Sequence, residues 1–145
     1  MAIESRVYPV GALGAYKYVV VLSRFEGKIL LSRHRARSTW ETQGGHVEPG
    51  ETPQAAARRE LYEESGAADY TMIALCDYYA EDRDTGRGAG GMVFAADIRR
   101  LEPLPPEVRA FDRLPQNVTY PGITPALFAH LQACGGFDRV LEATV

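Results

Sequence analysis

Residues 45–67 read GHVEPGETPQAAARRELYEESGA, and the rest of the chain is organised around them. Thr52 is a residue type that caps helix N-termini, Pro53 suits a first helical position, and Gly66 supplies a left-handed stop. The intervening PQAAARRELYEES is almost wholly favourable for helix, so a helix is predicted from Pro53 to just before Gly66. At about 100° per residue, Glu60, Glu63 and Glu64 share a sector roughly 100° wide. Like charges at these spacings repel by about 0.2–0.5 kcal/mol per pair on an exposed helix. Such a trio is a poor solubility device and a good oxygen-ligand set for a hard divalent cation, because Mg²⁺ takes one or two carboxylates and completes its shell with water and phosphate oxygens.

Neighbouring residues support the same chemistry. Ala56, one turn earlier in the sector, leaves the carboxylates uncovered. Arg59 precedes Glu63 by four residues, so its fork can brace a carboxylate. Ala57 and Leu61 are placed to anchor the helix on a sheet. Gly44, Gly45 and the EPGE turn let the preceding loop fold back, bringing backbone carbonyls toward the same cation. Taken alone, a helix reading ExxEE is a solvated acidic face. The full set of residues at fixed spacing arises by chance in about one chain in a million or fewer.

Working outward, residues 16–25 (YKYVVVLSRF) are dense in aromatic and β-branched residues and predict a strand. Glu26-Gly27 turns the chain into a second strand at 28–32, giving a hairpin. Residues 33–38 (RHRARS) form a basic loop, and TWETQ a short extended piece. Strands are expected at 70–80 and 92–98, joined by the polar EDRDTGRGAGG. After a Pro-rich link at 102–107, a short strand is expected at 108–114 and a closing helix at 123–134, with Gly135 as its cap. Strands and helices mix without βαβα alternation, so the predicted class is α+β with a mixed sheet.

The chain has 145 residues, 46% of them hydrophobic and 24% charged, which predicts one globular domain over 1–145 and excludes disordered and collagen-like classes. With 16 basic and 19 acidic residues the net charge is −3, so no general attraction to nucleic acid or anionic membranes is expected. Cys76 and Cys134 are too few for a disulfide framework and lack metal-ligand spacing. Glu4 and Pro9 interrupt any secretory h-region near the start, and residues 18–22, as long as any apolar run in the chain, fall far short of a bilayer span. A cytoplasmic protein is expected.

The 23 residues 45–67 resemble the Nudix box, in which Gly45, Glu51, Arg59, Glu60, Leu61, Glu63, Glu64 and Gly66 occupy the motif positions. Ala67 is small where the motif places a larger aliphatic residue. The resemblance implies an α/β/α sandwich and hydrolysis of a nucleoside diphosphate linked to another moiety, assisted by Mg²⁺ or Mn²⁺. It implies Glu60, Glu63 and Glu64 as metal ligands, with the Gly45 carbonyl added, Glu60 or Glu64 orienting the attacking water, and Arg59 holding the cluster. Glu51 is expected to brace the loop. Family members often recruit a further acid from a distal loop, for which Glu107 is the candidate, with Glu102 and Glu81 behind it.

Candidate substrate contacts are Arg33, Arg35 and Arg37, which could steer phosphates, and Trp40 and Tyr78, which with Tyr79 and Phe111 could stack on a base. His46 reads as a solvent-facing loop residue. His34, His130 and the two cysteines receive no role. The expected substrate is a small nucleotide, foremost a nucleoside triphosphate. An RNA 5′ end and a nucleotide sugar are alternatives, as is a non-catalytic nucleotide-sensing module. The expected state is monomer or homodimer.

Overall fold

The computed structural model describes residues 3–103 and 107–142. Strands β1 (Ile3–Tyr8), β2 (Tyr18–Phe25), β3 (Lys28–Arg33), β4 (Gln43–His46), β5 (Ala67–Asp82), β6 (Gly88–Leu101) and β7 (Glu107–Phe111) build one mixed sheet. Its order is β1-β5-β6-β2-β3-β7, with β4 also paired to β2. Only β2 and β6 run parallel; the other named pairs are antiparallel. Helix α1 (Pro53–Ser65) covers one face, and α2 (Thr124–Ala133) with the short α3 (Asp138–Glu142) covers the other. The expected α/β/α sandwich is the observed architecture.

Alternation along the central strands explains the two cores. Val19 and Val21 point toward α1 with Met92, Phe94, Ala96 and Ile98, while Leu22, Val93 and Ala95 point toward Leu127, Leu131 and Val140. Ala56, Ala57 and Leu61 are fully buried beneath α1, so two small side chains let the helix lie close to the sheet. Burying a side chain such as Leu61 contributes about 1.5–3 kcal/mol. Ala67 is buried in the same core.

The helix ends match expectation. The Thr52 hydroxyl accepts from the Ala55 N–H at 3.1 Å, and Gly66 closes α1 at φ +79°. Several boundaries differ. Strand β1 was not foreseen, because IESRVY carries charges that an outer strand tolerates on its exposed side. The polar stretch expected as a long connection is mostly strand, with Asp82 and Arg87 closing a tight turn through a 2.7 Å backbone bond. The short α3 was also unforeseen. The Pro-rich link falls partly on residues 104–106, outside those described.

One feature of the sheet positions the site. Strand β2 pairs with β4 through residues 18–21 and with β3 through residues 23–25, so its neighbours fork. Gln43, fully buried, fills the fork: its side-chain oxygen accepts from the Ser23 hydroxyl, and its Nε2 donates to Leu30 O (3.3 Å) and Ser32 Oγ (2.9 Å). Ser32 then donates to the carbonyl of Glu64 at 2.7 Å. The C-terminal turn of α1 is thereby tied to the fork.

Candidate active site

The acidic sector of α1 is turned toward the sheet, with a gradient of burial. Glu63 is exposed, Glu60 half-buried and Glu64 buried. Glu60 lies against β4 so closely that a Cβ on Gly45 would stand 2.6 Å from its Oε1, so a larger residue there would displace the Glu60 carboxylate. Glu64 Oε1 accepts from the Gly44 N–H at 2.7 Å, and Oε2 lies 2.9 Å from His34 Nε2. Burial pushes the Glu64 carboxyl up to about 8, opposed by the Gly44 N–H and reinforced by the charges of Glu60, Glu41 and Glu63. Burial also raises Glu60, against the pull of Arg59.

Arg59 is the hub expected of it, with more partners than the sequence suggested. Its Nε and Nη2 grip both oxygens of Glu51 at 2.8 and 2.9 Å. Nη2 also donates to His46 O at 3.0 Å, and Nη1 reaches Glu60 at 2.8 Å and Glu63 at 3.4 Å. The two-pronged bond holds the Glu51 carboxyl down at about 2. Glu51 additionally accepts from the Glu48 N–H, so it acts as the loop brace. His46 is exposed and leans on Tyr18, with ring centroids 4.6 Å apart.

Among the described residues, no three carboxylate, imidazole or thiol side chains stand arranged to hold a metal ion as placed. The carboxylates are drawn apart, Glu60 to Arg59 and Glu64 to Gly44 and His34. Their chemistry nonetheless fits a hard divalent cation. Glu60 and Glu64 flank the Gly44-Gly45 backbone, and burial makes ionisation of both costly, a cost that a cation would relieve.

Away from the helix the structure corrects several expectations. The fourth carboxylate acting on Glu64 is Glu41, not Glu107. Glu107 faces Arg33 across the β3–β7 ladder and is ion-paired to it. Glu102 accepts from Tyr62, and Glu81 lines a cavity with Glu4 and Arg83 on the outer strands. Trp40 and Tyr78 are 7% and 5% exposed, so they offer core packing rather than an open stacking face. Trp40 packs edge-on against Phe111, with Arg33 above it at 5.6 Å. Arg35 is exposed. Arg37 binds both oxygens of Glu41 at 3.3 Å.

Three residues without an assigned role enter the site: His34, Glu41 and Tyr120. His34 bridges Glu64 and Glu41 at 2.9 and 3.7 Å. Tyr120 arrives from a distant segment stitched to the basic loop. Trp40 N–H donates to Asn117 O (3.0 Å), Thr119 N–H donates to Trp40 O (2.8 Å), and the Thr39 and Thr119 hydroxyls bond at 2.7 Å. Only the proximity of Glu41 to the box in sequence could have signalled any of these.

Residues 16–117 match the NUDIX domain model. A putative 8-oxo-dGTP diphosphatase of Bacillus subtilis, YtkD, is 38% identical over 86 residues, which cover 59% of this chain and 52% of that protein. An RNA pyrophosphohydrolase of Tolumonas auensis is 39% identical over 57 residues, covering 38% of this chain and 33% of that one. The chain thus spans about half or less of the length of these curated relatives. The crystal structure of the B. subtilis pyrophosphohydrolase BsRppH (an E68A mutant) superposes with a TM-score of 0.75 at 26% identity, over 92% of this chain and 91% of that one. With the box geometry and most of the chain matched, the protein belongs to the Nudix family.

Proposed function

We propose that the chain hydrolyses a phosphoanhydride bond in a nucleoside diphosphate bearing a further group, foremost a nucleoside triphosphate, yielding the monophosphate and pyrophosphate. The observation that carries this is the burial of Glu64 beside Glu60, Glu63 and Glu41, an accumulation of negative charge that folding alone would not favour. Glu60, Glu63, Glu64 and the Gly45 carbonyl would hold Mg²⁺ or Mn²⁺. When bound, the cation neutralises phosphate charge and acidifies a water.

The chain's own residues set the geometry. Arg59, locked by Glu51, fixes the Glu60 carboxylate against Gly45. His34 and the Gly44 N–H fix both oxygens of Glu64. Glu60 or Glu64 orients the water for in-line attack on phosphorus, one P–O bridge breaks, and pyrophosphate departs. Arg35, exposed on the basic loop, draws the phosphates in from the rim.

A triphosphate at an RNA 5′ end is a second reading, supported by the likeness to the RNA pyrophosphohydrolases and to BsRppH. It involves the same bond in a longer ligand. The deciding experiment is a panel of nucleoside triphosphates, including 8-oxo-dGTP, nucleotide sugars and 5′-triphosphorylated RNA, incubated with Mg²⁺ or chelator. Metal-dependent release of pyrophosphate or phosphate from at least one is expected. Release from none would refute the reading, and binding that is indifferent to chelator and without turnover would identify a sensing module.

A further inference from the structure

Five large apolar side chains are exposed among the described residues: Val10, Tyr62, Tyr79, Tyr120 and Leu141. Tyr120 is distinguished by a chain of polar contacts that leads from it to the acidic cluster. Its hydroxyl meets Arg37 Nη1 at 3.4 Å, Arg37 is held by Glu41, Glu41 neighbours His34, and His34 touches Glu64. The backbone of Tyr120 is fixed, because its carbonyl accepts from the N–H groups of Ile123 and Thr124 at 3.1 and 3.0 Å. The residue is 46% exposed on that rigid mount.

The Arg37 guanidinium stands 6.0 Å from the Tyr120 ring centroid. That is the outer limit of cation–π attraction and well beyond van der Waals contact at roughly 3.5–4.0 Å, so the ring face is not sealed. All side-chain hydrogen bonds of Arg37 to described residues leave through Nη1, although the guanidinium carries five N–H donors. Its Nε and Nη2 therefore retain donors for a ligand. An exposed π-face beside a cation with donors to spare, both fixed in position, suits a planar heteroaromatic base attached to phosphate.

We propose that Tyr120 and Arg37, with Glu41 as the positioning residue for Arg37, form the subsite that takes the base of the substrate, so that the substrate is a nucleotide rather than a phosphoanhydride lacking a base. This rests on the proposed hydrolysis for its orientation: phosphates toward Glu64, base toward Tyr120. Glu41 is 7% exposed, and its two bonds to Nη1 aim the remainder of the guanidinium outward. Tyr120 stacks and is tolerant of base identity; Arg37 contributes the directional contacts.

The test compares binding of a non-hydrolysable nucleoside triphosphate analogue with binding of inorganic tripolyphosphate by calorimetry, alongside steady-state hydrolysis. Wild type is expected to prefer the nucleotide. Tyr120→Ala should weaken nucleotide binding and raise KM by about 5- to 100-fold, with kcat little changed and tripolyphosphate affinity unmoved. Tyr120→Trp should restore the preference, which a purely structural role would not allow. Glu41→Gln should raise KM in the same sense as Arg37→Ala. Equal affinity of wild type for both ligands, or Tyr120→Ala binding nucleotide like wild type, would overturn the subsite. Nucleotide binding that depends on Tyr120 without any turnover would sink the hydrolase reading and leave the subsite standing, whereas hydrolysis indifferent to Tyr120 would do the reverse.

Discussion

Two arginines mark the two halves of the site, and they are used in opposite ways. Arg59, on the helix, uses Nε, Nη1 and Nη2 and contacts Glu51, Glu60, Glu63 and the His46 carbonyl. Arg37, on the rim, makes its side-chain hydrogen bonds to described residues through Nη1 alone, and its side chain stays 43% exposed, against 24% for Arg59. A guanidinium whose donors are all engaged within the protein is a brace. One that is anchored at a single nitrogen beside open surface still has hydrogen bonds to offer a ligand. The saturation of donors thus separates structure from recognition where residue type does not.

The largest effect should come from the carboxylate that the brace helps to surround. Glu64→Gln is expected to lower turnover by about a thousandfold or more and, in metal-free buffer, to raise the melting temperature. The sign follows from the raised pKa. Glu64 titrates near 4.5 unfolded and about 8 folded, so ionisation opposes folding progressively above pH 4.5 and fully above pH 8. A permanently neutral glutamine escapes that penalty while it can still accept from Gly44. Thermal melts at pH 4 and pH 8 should show little difference at the lower value and a more stable variant at the higher. Loss of stability at pH 8 would mean that the charge is accommodated without a cation.

The contrast between the arginines also explains what the sequence revealed. Arg59, Glu60, Glu63 and Glu64 lie on one helix, where the helical period converts the carboxylates' spacing directly into a shared face, and Gly45 on β4 and Glu51 on the turn before α1 are close to it in sequence. Leu61 and the alanines beside them fixed how that face meets the sheet. The rim has no such period. His34, Glu41 and Tyr120 come from a loop, a bridge next to β4 and the approach to α2; the Ser32–Glu41 bridge sets Glu41 beside His34, and the stitching of Trp40 to Asn117 and Thr119 brings Tyr120 to them. Glu107 was hard to place for a related reason: the ladder sets it opposite Arg33, a pairing that strand register decides and local sequence does not. Tyr78 reads like any aromatic in a strand until its face is known.

A pair of conservative substitutions tests the comparison directly. Arg59→Lys replaces the fork with a point charge that cannot satisfy Glu51 and Glu60 together. It should destabilise by about 1.5–3 kcal/mol in denaturant titrations and lower kcat at least tenfold, since Glu60 is then misplaced. Arg37→Lys should leave the denaturation midpoint unchanged and raise KM for nucleotide by about fivefold. If both variants behaved alike in stability and KM, the distinction between brace and reader would fail.

The smallest expected effect tests the brace from its carboxylate end. The Arg59 fork and the Glu48 N–H hold the Glu51 carboxyl down at about 2, against 4.5 as the ordinary value. A lowered pKa means that the ionised form favours the fold, so the contribution is fully present above pH 4.5 and disappears as the pH falls toward 2. Glu51→Gln should therefore melt below wild type at pH 7 by a modest margin, and the two curves should converge as the medium is acidified through that window. Because Glu51 is partly solvent-exposed, salt should narrow the gap at pH 7. A difference that persisted undiminished at pH 2 would assign the loss to packing of the EPGE turn rather than to charge, and Arg59 would then be positioned by Glu60 and the His46 carbonyl alone.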